Sequence, residues 1–462
     1  MKKQLQKRLS VPIAIGIVMA MMFSASSTAQ IDSALSTQLR QILNNQVQNF
    51  GYHGVSACVI MPNGDIWKGT AGVGEGNVAI TDSTVFHGAS ITKTNIATLI
   101  LLLAEDGLLH LDSSWHDYVN LNVNFDTAIT IRQLISHTSG IADYLEVPGS
   151  GSYVTNDFNR AFTPVEILEN IVSGIPDFVP GTDFSYSTSN YVLAALIAQH
   201  ATGNLVQHEL RTRIWDALGM THTYFGGFET YTEPKAGVWW NFGSGLINYS
   251  NDPKTSMLTY GYGGANIVST PEDLAHFARA LFTGNILSQA SMNQMQVFSP
   301  DSYNTWCAGY GLGIHNASSF GNNTVLGHDG YYTNMSDMFH SFDYGFTLVT
   351  MSNTQRQWVV FFNQMYNAIK NYITVGIMEN TASQSINLFP QPATDHLTIT
   401  FGNTHKNVEI TVTDITGKII YTTTSTEKQK VEVNTNDFAE GVYVVQIQTA
   451  DFLETKKLII TK

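Results

Sequence analysis

The chain has 462 residues, of which 43% are hydrophobic and 13% are charged, and this composition excludes both a disordered chain and a coiled coil. The formal net charge of −14 argues against a nucleic-acid partner, because binding to phosphates needs clustered Lys and Arg. Two cysteines are too few for a disulfide scaffold, and no Cys/His cluster predicts a metal or cofactor site.

The first 29 residues have the features of a secretory signal peptide. A basic start precedes the apolar run Val11–Phe23, and Ser27–Ala29 offers small residues for cleavage. A membrane anchor is the alternative, but a spanning helix needs about 20 apolar residues. We therefore predict that residues 1–29 are removed and that the mature chain has no integral membrane segment. After export, Cys58 and Cys307 could form a disulfide or remain independent thiols.

Residues 30–378 mix helix-like and strand-like segments, which predicts an α+β domain. Gly54–Met61 and Ile66–Gly69 flank an Asn-Gly turn, as in a β-hairpin. Ile91–Leu109 has apolar residues at helical spacing, with Gly107 as its stop signal, and is apolar enough to be buried on nearly all sides. Further helices and one buried strand are predicted at Pro164–Val172, Tyr191–Ala201, Pro271–Thr283, Phe346–Met351 (the strand) and Phe361–Ile373.

Ser90 and Lys93 stand at the start of the apolar helix, three residues apart and therefore on one face. A neutral lysine can take the proton of a neighbouring serine, and burial lowers the pKa of a lysine. Backbone N–H groups at the helix start also stabilise developing negative charge. The same S-x-x-K spacing recurs at Ser425–Lys428 in the polar C-terminal region, so spacing alone does not identify a nucleophile. The alternative is a helix-capping serine with a solvated lysine.

The segment Phe86–Lys93, with the sequence FHGASITK, resembles the nucleophile segment of serine β-lactamases and penicillin-binding proteins. The similarity is greatest to class C β-lactamases, D,D-carboxypeptidases, D-aminopeptidases and related esterases. Further matching blocks follow in order at Leu109–Asp112, Ile131–Ile141, Pro180–Ser187, Asn190–Leu193, Leu218–Met220, Gly263–Leu274 and Gly327–Gly330. The resemblance implies an antiparallel sheet flanked by helices, together with a mainly helical lobe.

The resemblance also implies a serine hydrolase that forms an acyl-enzyme at Ser90 with a small-molecule or peptide substrate. Lys93 and Tyr186 would move protons, and His328 would assist. The backbone N–H groups of Ser90 and Tyr331 would form the oxyanion hole. An amide or ester substrate is expected, which leaves D-amino-acid peptides, β-lactams and short esters open.

Tyr186 corresponds to the tyrosine of the family's Y-x-N motif, because it follows a Pro-Gly-Thr turn and precedes a helix. A tyrosine ordinarily ionises near pH ~10, so nearby cations or a shared proton network would have to lower its pKa. Literal Y-x-N triplets at Tyr118, Tyr249 and Tyr332 lack this setting and are interpreted as chance. His137 lies in a recurrent family segment, where a structural role in a loop is favoured over catalysis.

Several positions depart from the family pattern. Thr188 replaces the Asn of Y-x-N and offers only one short hydroxyl, which weakens the argument for β-lactam hydrolysis. Asn190 could substitute for it, although a helix-cap role is favoured. Asp329 would repel a substrate carboxylate and suit an amine or a neutral ester, unless it turns from the cleft and pairs with a neighbouring donor. Gly330 would leave space for close approach of substrate along the strand.

From residue 388 onward, short alternating segments predict a small all-β sandwich, preceded by a linker at 379–387. The sequence resembles the C-terminal sorting domain of type IX secretion cargo at Leu388–Asp395, Asp414–Lys418, Gly441–Tyr443 and Lys456–Ile460. Gln391 replaces the Asn that is usual in the first of these motifs. The resemblance implies the type IX secretion machinery as a partner and export through the periplasm to the cell surface or beyond. A carbohydrate-binding or spacer domain is the alternative.

Other hydrolase classes lack support. No G-x-S-x-G motif is present for an α/β-hydrolase, and His208-Glu209 lacks the second His of a zinc-protease motif. Two hypotheses remain: an exported serine hydrolase, and a non-catalytic binding or scaffold protein of the same fold at the cell surface. Intact Ser90, Lys93 and Tyr186 favour the enzyme.

Overall fold

The structure is a computed structural model that describes residues 31–462 except for 242–244, 305–306, 318–323, 357–359, 384–385, 406, 415–417, 427 and 450–452. The predicted signal peptide lies outside the described residues. The helices are α1 (Ser33–Asn49), α2 (Ile91–Glu105), α3 (Ile131–Ile135), α4 (Ser150–Thr155), α5 (Pro164–Glu166), α6 (Ser189–Thr202), α7 (Val206–Leu210), α8 (Thr255–Tyr260), α9 (Pro271–Phe282), α10 (Gln289–Met295) and α11 (Val360–Ser383).

The strands fall into two groups along the chain. The first group is β1 (Gly54–Ile60), β2 (Ile66–Gly72), β3 (Phe86–His87), β4 (Tyr224–Phe225), β5 (Trp239–Asn241), β6 (Leu246–Asn248), β7 (Ile267–Ser269), β8 (His315–Asn316), β9 (Val325–Tyr331), β10 (Met335–Ser341) and β11 (Phe346–Ser352). The second group is β12 (Asn387–Phe389), β13 (His396–His405), β14 (Val408–Asp414), β15 (Ile419–Ser425), β16 (Lys428–Asn434), β17 (Gly441–Gln448) and β18 (Leu453–Ile460).

A six-stranded antiparallel sheet, with strand order β2-β1-β11-β10-β9-β8, forms the centre of the first group. Strands β1 and β11 are buried along their whole length. Apolar side chains of α1 and α11 pack on one face of the sheet, and those of α2 and α9 pack on the other. The predicted antiparallel sheet flanked by helices is thereby confirmed, including the hairpin formed by β1 and β2.

Helix α2 is buried on nearly every side, as its sequence predicts, since 12 of its 15 residues are buried. It packs between the helices α6 and α7 and the sheet strand β9, which joins the helical lobe to the sheet. The helix ends at Glu105, before the predicted Leu109, because Gly107 takes a left-handed conformation with φ +73°. This burial fixes the position of the helix start, where Ser90 lies.

The other predicted helices are present with small differences at their ends. The segment predicted at Pro164–Val172 begins as the short α5 and continues as a wider π-helical turn at Ile167–Ile171. Helix α11 extends to Ser383 and so runs past residue 378, where the predicted linker begins. Strand β12 starts at Asn387, within one residue of the predicted start of the C-terminal domain.

The C-terminal strands form two sheets, with orders β12-β13-β16 and β15-β14-β17-β18. Their inward residues share one apolar core, to which Leu397, Ile410 and Val445 belong. In β17 every second residue is buried, which is the period-two pattern read from the sequence. The prediction of an all-β sandwich is confirmed.

Two further expectations concern the whole chain. Among the residues that the structure describes, no helix combines the length and the apolar character needed to cross a membrane. Cys58 and Cys307 are both buried free thiols and not a disulfide. Burial raises the pKa of the Cys58 thiol, which keeps it in its unreactive protonated form.

Candidate active site

Ser90 stands at the junction between strand β3 and helix α2. The preceding residue, Ala89, has a left-handed backbone with φ +48°, a conformation that is costly for a residue other than glycine. This turn places Ser90 at the N-terminal cap of α2, but its side chain makes no capping hydrogen bond to the helix. Ser90 thus occupies the N-cap position, but the alternative in which its hydroxyl caps the helix is wrong, because the hydroxyl faces Lys93.

Lys93 is completely buried, and its amine is surrounded by oxygen atoms. Its Nζ lies 3.1 Å from Ser90 Oγ, 2.9 Å from the carbonyl oxygen of Gly264 and 3.4 Å from Thr188 Oγ1. Burial lowers the pKa of Lys93 to about 7, although the carboxylates of Asp143 and Asp329 oppose this shift. The solvated lysine of the alternative interpretation is wrong, and the amine can be neutral near neutral pH.

Asp143 is a member of the site that the sequence alone did not identify. Its Oδ2 accepts a hydrogen bond of 3.1 Å from Thr188 Oγ1, and its Oδ1 accepts one of 3.0 Å from the N–H of Leu145. Because the Thr188 proton is given to Asp143, the Thr188 oxygen is an acceptor toward Lys93. Burial raises the pKa of Asp143. Thr188 therefore links a carboxylate to the lysine.

Tyr186 also contacts the Ser90 hydroxyl. It shares a hydrogen bond with Ser90, and its ring centroid lies 4.8 Å from Lys93 Nζ. Burial raises the pKa of Tyr186 well above its usual value, with that hydrogen bond acting in the opposite direction. The expectation of a lowered tyrosine pKa is wrong, because desolvation of the phenolate dominates. Tyr186 is thus a neutral hydroxyl, and Lys93 is the better placed of the two to accept a proton near neutral pH.

His328 lies on β9 and is 1% exposed. Its Nδ1 is 2.5 Å from the carbonyl oxygen of Asp329, and its Nε2 is 3.0 Å from the hydroxyl of Tyr310. Burial, reinforced by the charges of His315 and Lys93, lowers the pKa of His328 well below its usual value. The imidazole is therefore neutral, with both ring nitrogens bound to protein groups.

Asp329 lies directly opposite Asp337 of β10 in the strand register. Its Oδ1 is 3.3 Å from Nε2 of His315, while Asp337 accepts a 2.8 Å hydrogen bond from Thr350. Burial, followed by the charge of Asp329, raises the pKa of Asp337 to about 7. Of the two alternatives for Asp329, this geometry matches the one in which the side chain turns to a neighbouring donor.

The side chains of His315, His328 and Asp329 have potential metal-ligand atoms within 4.8 Å of one another. Within the described residues, this is the group that could hold a metal ion. Both nitrogens of His328 are already hydrogen-bonded, and Asp329 accepts from His315. The contacts present are those of a hydrogen-bonded cluster, in which a metal would have to replace existing bonds.

Gly330 and Tyr331 follow on the same strand. A Cβ on Gly330 would lie 2.5 Å from the carbonyl oxygen of Gly88, 2.3 Å from Ser336 Oγ and 2.9 Å from Ala89 Cβ. The glycine thus serves close packing against the turn before Ser90, whereas the sequence suggested space for a substrate. Tyr331 is 46% exposed at the end of the strand.

We expect Gly330→Ala to lower activity by more than about tenfold, because the added methyl group must push the turn that carries Ser90. Gly107→Ala is a control for local crowding, since its Cβ would meet nothing within 4 Å, and its positive φ of +73°, which Gly330 does not share, adds backbone strain far from Ser90. Labelling of each variant by a fluorophosphonate probe checks the result. Equal labelling rates for wild type and Gly330→Ala would contradict it.

The remaining predicted residues have structural contacts. Asn190 is the second residue of α6, so its predicted helix-cap role is wrong. Its amide bonds Ser139 and His137, at 2.6 and 3.2 Å. His137 is buried beside Tyr186, as a structural role predicts. No sequence motif marked Tyr310 as part of this cluster.

A cavity of about 270 Å³ opens between the segment that follows Asp143 and the end of β9. Its lining combines aromatic, aliphatic and polar residues: Trp240, Tyr260, Tyr331, Tyr332, Leu145, Val154, Gly151, Ser150 and Gln355. An apolar cavity of about 150 Å³ is enough to hold a benzene molecule. The cavity is therefore large enough for an aromatic or large aliphatic substituent, and Tyr331 on its lining is the residue expected to supply an oxyanion N–H.

Comparison with known proteins agrees with this geometry. Residues 39–368 match the β-lactamase family, and residues 387–461 match the secretion system C-terminal sorting domain. Penicillin-binding protein 4 of Amycolatopsis lactamdurans is 27% identical over 282 residues, which are 56% of this chain and 70% of that protein.

Two solved structures are similar over the same region. The D-stereospecific amidohydrolase from Streptomyces sp. is 27% identical with a TM-score of 0.61, covering 72% of this chain and 98% of that one. The D-amino acid amidase from Ochrobactrum anthropi SV3, solved in complex with D-phenylalanine, is 25% identical with a TM-score of 0.64, covering 74% of this chain and all of that one. With the family match spanning most of the chain, this protein belongs to the β-lactamase family of serine hydrolases and carries a type IX sorting domain at its C-terminus.

Proposed function

We propose that this protein is an exported serine amidase that hydrolyses amides of D-amino acids with a free α-amino group through an acyl-enzyme at Ser90. The observation that carries the proposal is the buried Lys93, whose pKa of about 7 and distance of 3.1 Å from Ser90 Oγ make it a competent base.

The proposed reaction has two balanced steps. Ser90 Oγ attacks the amide carbonyl while neutral Lys93 takes its proton, and the oxyanion is held by the N–H groups of Ser90 and Tyr331. The C–N bond then breaks, and the leaving nitrogen receives the proton from the lysine through the neutral hydroxyl of Tyr186. In deacylation a water oxygen attacks the acyl carbon while neutral Lys93 takes one of the water protons. The bond between the acyl carbon and Ser90 Oγ then breaks, Lys93 returns that proton to Ser90 Oγ, and the carboxylic acid product loses its remaining proton to solvent.

The substrate class follows from Asp143 and the neighbouring cavity. Asp143 keeps partial exposure to solvent, and its carboxylate, which also accepts from Thr188, suits a positively charged amino group. The cavity lined by Leu145, two residues after Asp143, and by several aromatic side chains suits the amino-acid side chain. The D-configuration rests on the similarity to the Streptomyces amidohydrolase and the Ochrobactrum amidase. Thr188 in place of Asn makes a β-lactam substrate less favoured.

A substrate panel tests the proposal. We expect hydrolysis of D-phenylalanine amide to exceed that of L-phenylalanine amide and of N-acetyl-D-phenylalanine amide by at least about tenfold in kcat/KM, since one charged hydrogen bond contributes about 1.5–3 kcal/mol. Faster turnover of benzylpenicillin or of a short ester would overturn the substrate class. No turnover and no labelling would favour the non-catalytic binding or scaffold protein.

We expect Asp143→Asn to raise KM for D-phenylalanine amide by about 10- to 100-fold, because the substrate ammonium loses a charged partner. A neutral ester should lose much less. The same change removes a negative charge that raises the pKa of Lys93, so the acidic limb of the pH–rate profile should move to lower pH. Steady-state kinetics on both substrates between pH 5 and 9 check this, and a limb that moves to higher pH would contradict it.

The ends of the chain support the exported location. We propose that residues 1–29 are removed as a signal peptide, that 30–378 form the hydrolase domain, and that 379–387, the first part of which continues helix α11, connect it to the sorting domain at 388–462. The route runs through the periplasm and the type IX machinery to the cell surface or the medium. Deleting 388–462 should leave the enzyme in the periplasm, which cell fractionation can test.

A further inference from the structure

His137 is buried next to Tyr186 and holds it through several contacts. Its backbone is left-handed, with φ +60°, which is unusual for a residue other than glycine. Its carbonyl oxygen accepts a 3.1 Å hydrogen bond from the N–H of Ser185, and its Nδ1 accepts one of 3.1 Å from the N–H of Ser187. Its ring also packs 4.3 Å from the ring of Tyr186. His137 is therefore hydrogen-bonded to both residues that flank Tyr186.

These contacts determine which nitrogen of His137 carries the proton. Nδ1 faces two donors, the N–H of Ser187 and the side-chain amide of Asn190 at 3.2 Å, so it must be the acceptor. Burial lowers the pKa of His137 well below its usual value, so the ring has one proton, and that proton is on Nε2. Nε2 then donates to the hydroxyl oxygen of Tyr310 at 3.2 Å.

The hydrogen bond from Tyr310 to His328 also has a defined direction. Nδ1 of His328 lies 2.5 Å from the carbonyl oxygen of Asp329, which only accepts, so Nδ1 carries the single proton. Nε2 of His328 is then an acceptor, and Tyr310 donates to it at 3.0 Å. If Tyr310 donated to its neighbour Tyr191 instead, the His328 nitrogen would be buried without a donor, which is costly.

We propose that His137 and Tyr310 are positioning residues that form a hydrogen-bonded bridge between the two sides of the active site. In this bridge His137 donates a hydrogen bond to Tyr310, and Tyr310 donates one to His328. His137, the first residue of the bridge, also holds Tyr186 in place. Neither bridging residue needs to touch the substrate. They fix the place of Tyr186 and keep His328 in a single neutral tautomer. The kinetic part of this inference rests on the proposed acyl-enzyme function.

The bridge also connects parts of the chain that are far apart in sequence. His137 and Tyr186 belong to the helical lobe, whereas His328 belongs to strand β9, which continues to Gly330 and Tyr331 of the proposed oxyanion hole. The hydroxyl of Tyr310 is the contact between them. Its loss should therefore disturb the relative placement of base and oxyanion donors more than the stability of either part.

The test is Tyr310→Phe, which removes one oxygen atom and keeps the ring. Tyr366→Phe is the matched control, since it removes a buried tyrosine hydroxyl that bonds Ser341 away from this cluster. We expect Tyr310→Phe to lower the rate of fluorophosphonate labelling and kcat for the amide by about 10- to 100-fold, with KM changed less than threefold. Tyr366→Phe should keep wild-type rates.

Nitrogen-15 NMR measures which ring nitrogen of each histidine carries the proton. A general loss of stability would not change these tautomers. In the wild type, His328 should show a protonated Nδ1 and His137 a protonated Nε2; in Tyr310→Phe, His328 should lose its single tautomer or gain a proton at mildly acidic pH. Wild-type labelling rates with unchanged tautomers in Tyr310→Phe would overturn the proposal. If D-phenylalanine amide is not a substrate but labelling still slows in Tyr310→Phe, the proposed function fails while the bridge stands.

Discussion

Ser90→Ala is expected to abolish covalent labelling by fluorophosphonate and fluorescent penicillin probes and to lower amide hydrolysis by at least about 10⁴-fold. The hydroxyl that is removed lies 3.1 Å from Lys93 Nζ and shares a hydrogen bond with Tyr186, so both proton-transfer groups lose their partner. Folding should be unaffected, because the Ser90 side chain makes no capping bond to α2. Near-ultraviolet circular dichroism and thermal melts check that point.

The chain contains its own control for this substitution. Ser425 and Lys428 repeat the S-x-x-K spacing, but Ser425 ends strand β15 and Lys428 begins β16, so the two residues share no helix face. Ser425→Ala should leave labelling and turnover at wild-type values. Persistent labelling of Ser90→Ala together with its loss in Ser425→Ala would move the nucleophile to the C-terminal domain and refute the proposed site.

The contact between Ser90 and the buried Lys93 could be predicted from the sequence because the two residues share one turn of a helix whose apolar composition indicates burial. The composition of α2 requires a buried helix, and burial of Lys93 lowers its pKa in turn. The alternation of β17 likewise predicted one face of the C-terminal sandwich. In each case the decisive interactions are local, between residues fewer than about five positions apart.

The groups that the sequence did not identify are joined by contacts between distant segments. Asp143 meets Thr188 across 45 positions, and Tyr310 meets His137 across 173. No local period or motif encodes such a pair. The direction of a pKa shift also depends on residues far apart in the sequence. The ring of Tyr186 lies near the Lys93 amine, yet burial raises the pKa of Tyr186, and only its hydrogen bond with Ser90 acts in the opposite direction.

The sheet register explains a third difference between sequence and structure. Asp329 follows His328 on β9, and successive side chains of a strand point to opposite faces. His328 pairs with Met338, whose side chain packs with α2, whereas Asp329 pairs with Asp337 on the face toward α1 and α11. A sequence motif read as three consecutive site residues therefore divides between two faces of the sheet.

Lys93→Met is expected to lower labelling and turnover by about 10²- to 10⁴-fold, the usual contribution of a general base. In the wild type the rate should rise with pH and reach half its maximum near pH 7, because only the neutral amine accepts the proton and its pKa is about 7. The variant should lack this limb. Labelling rates measured between pH 5 and 9 would refute the assignment if wild type and variant had the same pH dependence.

The same substitution should make the protein more stable, and the sign follows from the shifted pKa. The folded-state pKa of Lys93 is about 7 against an ordinary 10.5, so below pH 7 the folded protein carries a buried charge at full cost. That cost falls as the pH rises from about 7 to 10.5, where the folded amine is already neutral and the unfolded one still charged. We therefore expect Lys93→Met to raise the free energy of unfolding most below pH 7 and least near pH 10.

Lys68→Met is the matched control for this stability effect. Lys68 is partly exposed and pairs with Glu272 at 2.8 Å, and these interactions raise its pKa against the effect of partial burial. Its loss should leave turnover unchanged and lower stability slightly, by at most about 1 kcal/mol. Urea unfolding at pH 6 and pH 10 compares the two variants. A Lys93→Met protein that is less stable than wild type at pH 6 would show that the amine is held by its three oxygen contacts more strongly than burial opposes it, and it would remove the physical basis for a neutral base beside Ser90.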